Sequence, residues 1–169
     1  MKYNELLNES NPRVEIDMGE LGVITLELFE SVAPITVKNF LDLVNDKFYN
    51  GLTFHRVIKG FMIQGGDPLG NGMGGSKNTI VGEFKQNGIK NELEHTRGVI
   101  SMARSMMPNS ASSQFFIMHK DAKYLDGAYA AFGAVTSGIE VVDRVANVRT
   151  TPSDKPLEAV TIKSIKVIR

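Results

Sequence analysis

The stretch Phe54-His55-Arg56-Val57-Ile58-Lys59-Gly60-Phe61-Met62-Ile63-Gln64-Gly65-Gly66-Asp67-Pro68 reads as two short strands around a glycine turn. From Thr53 to Lys59 and from Phe61 to Gln64, β-branched and aromatic residues fill runs bounded by glycine and proline. The first run alternates, which puts Arg56 on the face it shares with Phe54 and Ile58. A guanidinium on an apolar face has two explanations. It can close a salt bridge at the end of a sheet. It can also be a rigid fork of donors aimed into an apolar cleft, where a peptide amide or carbonyl accepts from it. The spacing alone does not choose between them.

Working outward, Val14, Ile16 and Met18 alternate within Arg13 to Met18, and Val23 to Phe29 is again strand-like after Gly19 to Gly22, so the two predict a hairpin. Pro34 suits a first helical position, and Val37, Phe40, Leu41, Val44 and Phe48 then recur at helical spacing until Asn50-Gly51. Further runs at Gly98 to Ala103, Gln114 to His119 and Ala130 to Val135 predict strands. A second helix is predicted over Ile139 to Val148 and a last strand over Ala159 to Ile168. Many short strands with two helices point to a mainly β chain that closes on itself as an antiparallel barrel, since closure removes exposed edges.

A chain of 169 residues with 42% hydrophobic content fits a single domain over 1–169, with 1–12 as an N-terminal extension. The 19 basic and 19 acidic residues cancel, so no overall positive field gathers nucleic acid or an anionic membrane. Cysteine is absent, which removes disulfides, thiolate metal sites and cysteine nucleophiles. Met1 to Pro12 lacks the apolar run of a signal peptide, and no segment approaches the length needed to span a bilayer. These features lead us to expect a soluble, cytoplasmic protein with no membrane or nucleic-acid partner.

Several motif matches are weak. Gly70-Asn71-Gly72-Met73-Gly74-Gly75 fits G-x-G-x-x-G, but no helix is predicted after it to present its N-terminus to a pyrophosphate. Gly75-Ser76-Lys77 reverses the order a P-loop needs. The glycines read instead as a long loop that turns tightly and lies close to its own barrel or to a peptide ligand. His55, His95 and His119 lack metal-ligand spacing, and Ser112 and Ser113 lack a G-x-S-x-G elbow. No cofactor or metal is expected.

The full Phe54 to Pro68 string closely resembles the signature of the cyclophilins. A second string, Gly98-Val99-Ile100-Ser101-Met102-Ala103 followed by Pro108-Asn109-Ser110-Ala111-Ser112-Ser113-Gln114-Phe115-Phe116-Ile117, resembles that family's other core segment. Tyr124-Leu125-Asp126-Gly127 with Phe132-Gly133 makes a third, and the Gly70 to Gly75 loop is similar to the family's glycine-rich stretch. The resemblance runs from Val14 to Ile168. It implies a closed eight-stranded antiparallel barrel capped by two α-helices, with a groove on its outer face. It also implies peptidyl-prolyl cis/trans isomerase activity that assists protein folding. The alternative is a proline-peptide binding or chaperone-like module with little turnover.

By resemblance, Arg56 is the catalytic arginine, and Phe61, Met62, Phe116, Leu125 and Tyr129 form the proline pocket. Gln64, Ala103, Arg104 and Gln114 line the rest of the groove. Tyr124 stands where many members have tryptophan and Tyr129 where eukaryotic members often have histidine, a pairing similar to bacterial cyclophilins. Arg104 replaces a common asparagine, and Met106-Met107 lengthens the following loop by one residue. The expected partners are proline-containing peptides and unfolded or partly folded proteins, with weak cyclosporin binding, and the expected state is a monomer.

Overall fold

The computed structural model describes residues 1–169. Its strands are β1 (Arg13–Asp17), β2 (Val23–Leu28), β3 (Arg56–Ile58), β4 (Met62–Gly65), β5 (Val99–Met102), β6 (Phe115–Met118), β7 (Ala131–Ser137) and β8 (Ser164–Val167), and its helices are α1 (Pro34–Asn45) and α2 (Ile139–Ala146). The strands form one antiparallel sheet in the order β3-β4-β6-β5-β7-β2-β1-β8. No helix is long and apolar enough to cross a membrane.

The expected closed barrel is corrected to an open half-barrel. The sheet curls, but β3 and β8 are its two edges and do not pair with each other. The gap is crossed by irregular chain: Gly51 and Phe54 donate backbone N–H groups to Ile162 and Val160, and Ile162 donates to Leu52. One isolated bridge, Thr53 to Thr161, lies between them. The strands expected over Thr53 to Lys59 and Ala159 to Ile168 are correspondingly shortened to three and four residues.

This shortening also corrects the face assigned to Arg56. Phe54 lies before β3 and is fully buried, Val57 points into the core, and Arg56 is exposed. The guanidinium is on the outer face, not the face of Phe54.

Pro34 is the first residue of α1 as expected, but the helix stops at Asn45 and Phe48 lies beyond it. Ala33 offers no side-chain cap. The orphan donors are met from a distance: the buried Glu83 carboxylate accepts the Thr36 N–H at 2.6 Å, the Thr36 hydroxyl at 2.7 Å and the Ile35 N–H at 3.3 Å. Phe40 of α1 then packs edge-on to Phe115 and against Phe132 and Tyr49, which ties the helix to the sheet interior.

Residues 1–12 lie on the sheet. The buried Glu27 carboxylate accepts from the Asn8 N–H, the Asn11 side chain, Arg13 and the C-terminal Arg169. Both chain ends are thereby fastened to one point of β2.

Period-two alternation sorts the strands into two apolar clusters. The larger, with Val14, Ile16, Leu26, Ile63, Ile100, Phe115, Ile117 and Phe132, fills the concave side between sheet and helices. The smaller, with Met62, Val99, Phe116, Met118, Leu125 and Ala131, lies on the convex side. Met62, Phe116 and Leu125, expected to line the groove, belong to this second cluster, and Phe61, Ala103 and Tyr129 pack against it.

Candidate active site

Register brings the polar residues together. Arg56 on β3 stands opposite Gln64 on β4, and Gln64 stands opposite Phe116 on β6. Arg56 Nη1 donates to Gln64 Oε1 at 3.2 Å, Gln64 Nε2 donates to Gln114 Oε1 at 2.9 Å, and Gln114 Nε2 donates to the carbonyls of Gly72 and Gly74 at 3.1 and 2.7 Å. The chain of bonds fixes both amide orientations and holds the guanidinium against β4.

Beside it is a cavity of about 140 Å³ lined by Arg56, Phe61, Met62, Gln64, Ala103, Arg104, Phe116, Leu125 and Tyr129. Met62, Phe116 and Leu125 are buried beneath it, whereas Phe61 and Tyr129 are half-buried walls. Tyr129 meets the Phe116 ring edge-on at 5.7 Å. Gln114 lies outside this lining, in the adjoining cavity of about 280 Å³. Tyr124 is in neither. It is 73% exposed and stacks on Phe61 with ring centroids 6.0 Å apart, so it forms the outer rim.

Three supports were not visible in the sequence reading because their partners are distant in the chain. Behind Phe116 the buried His95 ring stacks at 6.1 Å, with Nδ1 3.0 Å from Asp126 and Nε2 2.9 Å from the Ser101 hydroxyl. Burial pushes the His95 imidazole below its usual pKa, although Asp126 pulls it back upward. Phe84, also buried, lies under Arg104 with the guanidinium carbon 4.7 Å from its ring centroid. Asp67 organises the glycine loop: its carboxylate accepts the N–H groups of Leu69, Asn71 and Gly72. Burial opposes its charge, but these donors and that of Gly74 outweigh it and hold the carboxyl below the usual range. A Cβ on Gly74 would collide with that carboxylate, and one on Gly75 with the Ser112 hydroxyl. The glycines therefore serve close packing around a buried aspartate, and no helix follows them.

The three histidines are apart and differently employed. His119 accepts the Gly60 N–H at Nδ1 and faces Asp143 at Nε2, His95 braces Phe116, and His55 is buried without a hydrogen-bond partner. No cluster of three metal-ligating side chains occurs. The Ser113 hydroxyl donates to the Gly66 carbonyl and Ser112 accepts the Ser76 N–H, so neither pairs with a histidine. A separate cavity of about 730 Å³, bordered by Met18, Leu21, Arg149 and Leu157, contains none of the groove residues.

The model of the cyclophilin type peptidyl-prolyl cis-trans isomerase family matches residues 13–167. Peptidyl-prolyl cis-trans isomerase-like 1 of Emericella nidulans is 44% identical over 149 residues, covering 88% of this chain and 90% of its own length. Peptidyl-prolyl cis-trans isomerase cypE of Dictyostelium discoideum is 47% identical over 143 residues, covering 84% and 89%. Among solved structures, a cyclophilin type isomerase of Cryptosporidium parvum in the presence of the dipeptide Ala-Pro has a TM-score of 0.85 at 36% identity, covering 93% of this chain and 99% of that one. The expected bacterial character of the Tyr124 and Tyr129 pair is not supported, since these relatives are eukaryotic.

Proposed function

The chain belongs to the cyclophilin-type peptidyl-prolyl cis/trans isomerases, and from that premise we propose how its own residues turn an Xaa-Pro bond. The reaction breaks nothing. Amide resonance sets a barrier of about 18–20 kcal/mol, and uncatalysed exchange takes tens to hundreds of seconds. Raising the rate from about 0.01 per second to about 1–1,000 per second needs roughly 3–7 kcal/mol of transition-state stabilisation.

In the twisted state the proline nitrogen is pyramidal and its lone pair accepts a hydrogen bond. Arg56, exposed at the mouth of the small cavity and held by Gln64, supplies the donor. A guanidinium keeps its protons across the physiological range, so the donor is always armed. Phe61, Met62, Phe116, Leu125 and Tyr129 grip the proline ring, and Gln64, Ala103, Arg104 and Gln114 hold the backbone on either side. The observation that carries this assignment is the fixed arginine fork beside a small apolar cavity on the convex face.

The substrates are proline-containing segments of unfolded or partly folded proteins. We further propose that the protein acts as a monomer in the cytoplasm over residues 1–169, and that it binds cyclosporin weakly because the rim residue is Tyr124. NMR exchange or a protease-coupled assay on an Xaa-Pro peptide, run with EDTA present, tests the activity. Acceleration of 100-fold or more over the uncatalysed exchange is expected. Peptide binding without acceleration would make the domain a holding module instead.

A further inference from the structure

Arg104 lines both of the adjoining cavities, together with Gln64 and Ala103. Its guanidinium is clamped between two rings, with the central carbon 4.7 Å from the centroids of Phe84 and of Tyr129. Nε and Nη2 donate to the Ala128 carbonyl at 3.2 and 2.6 Å, and Nη1 donates to the Ser105 carbonyl at 2.9 Å. These bonds use three of five N–H groups. One proton on each Nη remains, on a group that cannot swing away.

The 280 Å³ cavity beside Arg104 is polar, and several of its acceptors are already engaged. The carbonyls of Gly72 and Gly74 take the Gln114 amide, and the Ser110 hydroxyl accepts from Ser105 while donating to Met107. Two of its side chains keep free donors: Arg104, and the Ser112 hydroxyl, which accepts the Ser76 N–H and has no acceptor for its own proton in the protein. The charged residues lining the two cavities are Arg56 and Arg104, with no carboxylate among them. A chain with no net charge thus carries a locally cationic, donor-rich groove.

We propose that Arg104 is a specificity-determining residue, selecting substrates with an anionic side chain within two residues of the proline. The anion enters the polar cavity, where the two remaining guanidinium protons and the Ser112 hydroxyl receive it, while the proline occupies the apolar cavity. This rests on the assignment of the groove as the isomerase site. The shared chemistry is a carboxylate of Asp or Glu, or the phosphate of a phosphorylated serine or threonine.

The test is kcat/KM on matched Xaa-Pro peptides bearing Glu, Gln, Lys or phosphoserine at each of the two positions on either side of proline. At low salt the Glu peptide is expected to exceed the Gln peptide by about 3- to 10-fold at one position, and the Lys peptide to fall below it. The phosphoserine arm shows whether a dianion is preferred over a carboxylate at that position. The Glu/Gln ratio should shrink towards 1 at 1 M salt. In R104Q the ratio should fall to about 1 whatever the absolute rates, and R104K, which keeps a charge without the fork, should lie between.

A wild-type ratio near 1 at every position overturns the inference while leaving the isomerase reading intact. A ratio unchanged in R104Q also overturns it, because the preference would then belong to Arg56 or to the general field. Failure to accelerate any peptide would instead overturn the isomerase reading. If R104Q does not fold, the wild-type ratio, its salt dependence and R104K decide the matter.

Discussion

Phe115 and Phe116 are adjacent in β6, identical in chemistry and both buried, yet they belong to different machines. Phe115 points to the concave side, where Phe40, Tyr49 and Phe54 meet it edge-on. Phe116 points to the convex side, where it floors the apolar cavity between His95 and Tyr129. One pleat therefore separates a residue that holds the sheet together from one that lines a cavity on the opposite face. The convex cluster is smaller and its ligand-side wall is open, so side chains there can be chosen for recognition at lower cost to stability.

The largest expected effect breaks the pair directly. Phe115→Ala should destabilise the fold by about 3–5 kcal/mol, measured by urea unfolding, because a ring enclosed on all sides leaves a cavity that cannot collapse. Phe116→Ala should cost less stability and lose most of its effect in kcat/KM for proline peptides. Equal partition of the two losses would show that the convex cluster is simply more core.

Arg56→Ala should lower kcat/KM by about 100- to 1,000-fold, the range for removing one positioned donor to developing charge. The unfolding midpoint should barely move, since the side chain is exposed. Arg56→Lys should also be poor, because a point charge does not reproduce the planar fork. A folded alanine variant with near wild-type turnover would remove Arg56 from the reaction.

Tyr124 sharpens the contrast at the rim. It lies outside the small apolar cavity, beside the lining residues Phe61, on which it stacks, and Leu125, which follows it in the chain. Tyr124→Trp should tighten cyclosporin binding by about 5- to 150-fold, through one indole N–H bond and added apolar contact. Turnover of small peptides should change little. Calorimetry beside the exchange assay checks both, and no gain in affinity would show that the rim does not set it.

The smallest effect concerns pH. The pKa values of His55 and His95 are lowered in the folded protein, chiefly by burial. The unfolded chain therefore takes their protons first, and stability should fall as pH drops below about 6.5. A second, steeper loss should begin below about pH 4.5, as Asp67, Asp143 and Glu27 are protonated. Their folded values are depressed, so their contribution is present above the unfolded pKa and lost beneath it. Turnover should stay nearly flat from pH 6 to 9 because no titrating group carries the chemistry. A bell-shaped rate profile near neutrality would contradict this, and an unfolding midpoint constant from pH 7 to 5 would contradict the histidine assignment.

Elements whose signal is local were legible in the chain before folding. The β1–β2 hairpin, the proline start of α1, strands β5, β6 and β7 and helix α2 all follow from periodicity and turn residues within about ten positions. The ordered motifs around Arg56, Gln114 and Leu125 were enough to identify the family, and the residues expected to bind substrate, Tyr124 apart, line the two adjoining cavities.

Features that depend on partners far along the chain emerged in the folded molecule alone. The half-barrel stays open because the segments meeting across its gap, near Thr53 and Thr161, do so through isolated hydrogen bonds and one bridge. Arg56 faces outward because β3 starts at Arg56 itself, which no alternation rule could foretell. The caps and braces came from afar: Glu83 on α1, Asp126 on His95, and Phe84 under Arg104. Hydrogen bonds and ring contacts of this kind act over a few ångströms in space and leave no period in the sequence, so the chain has to fold before they can be read.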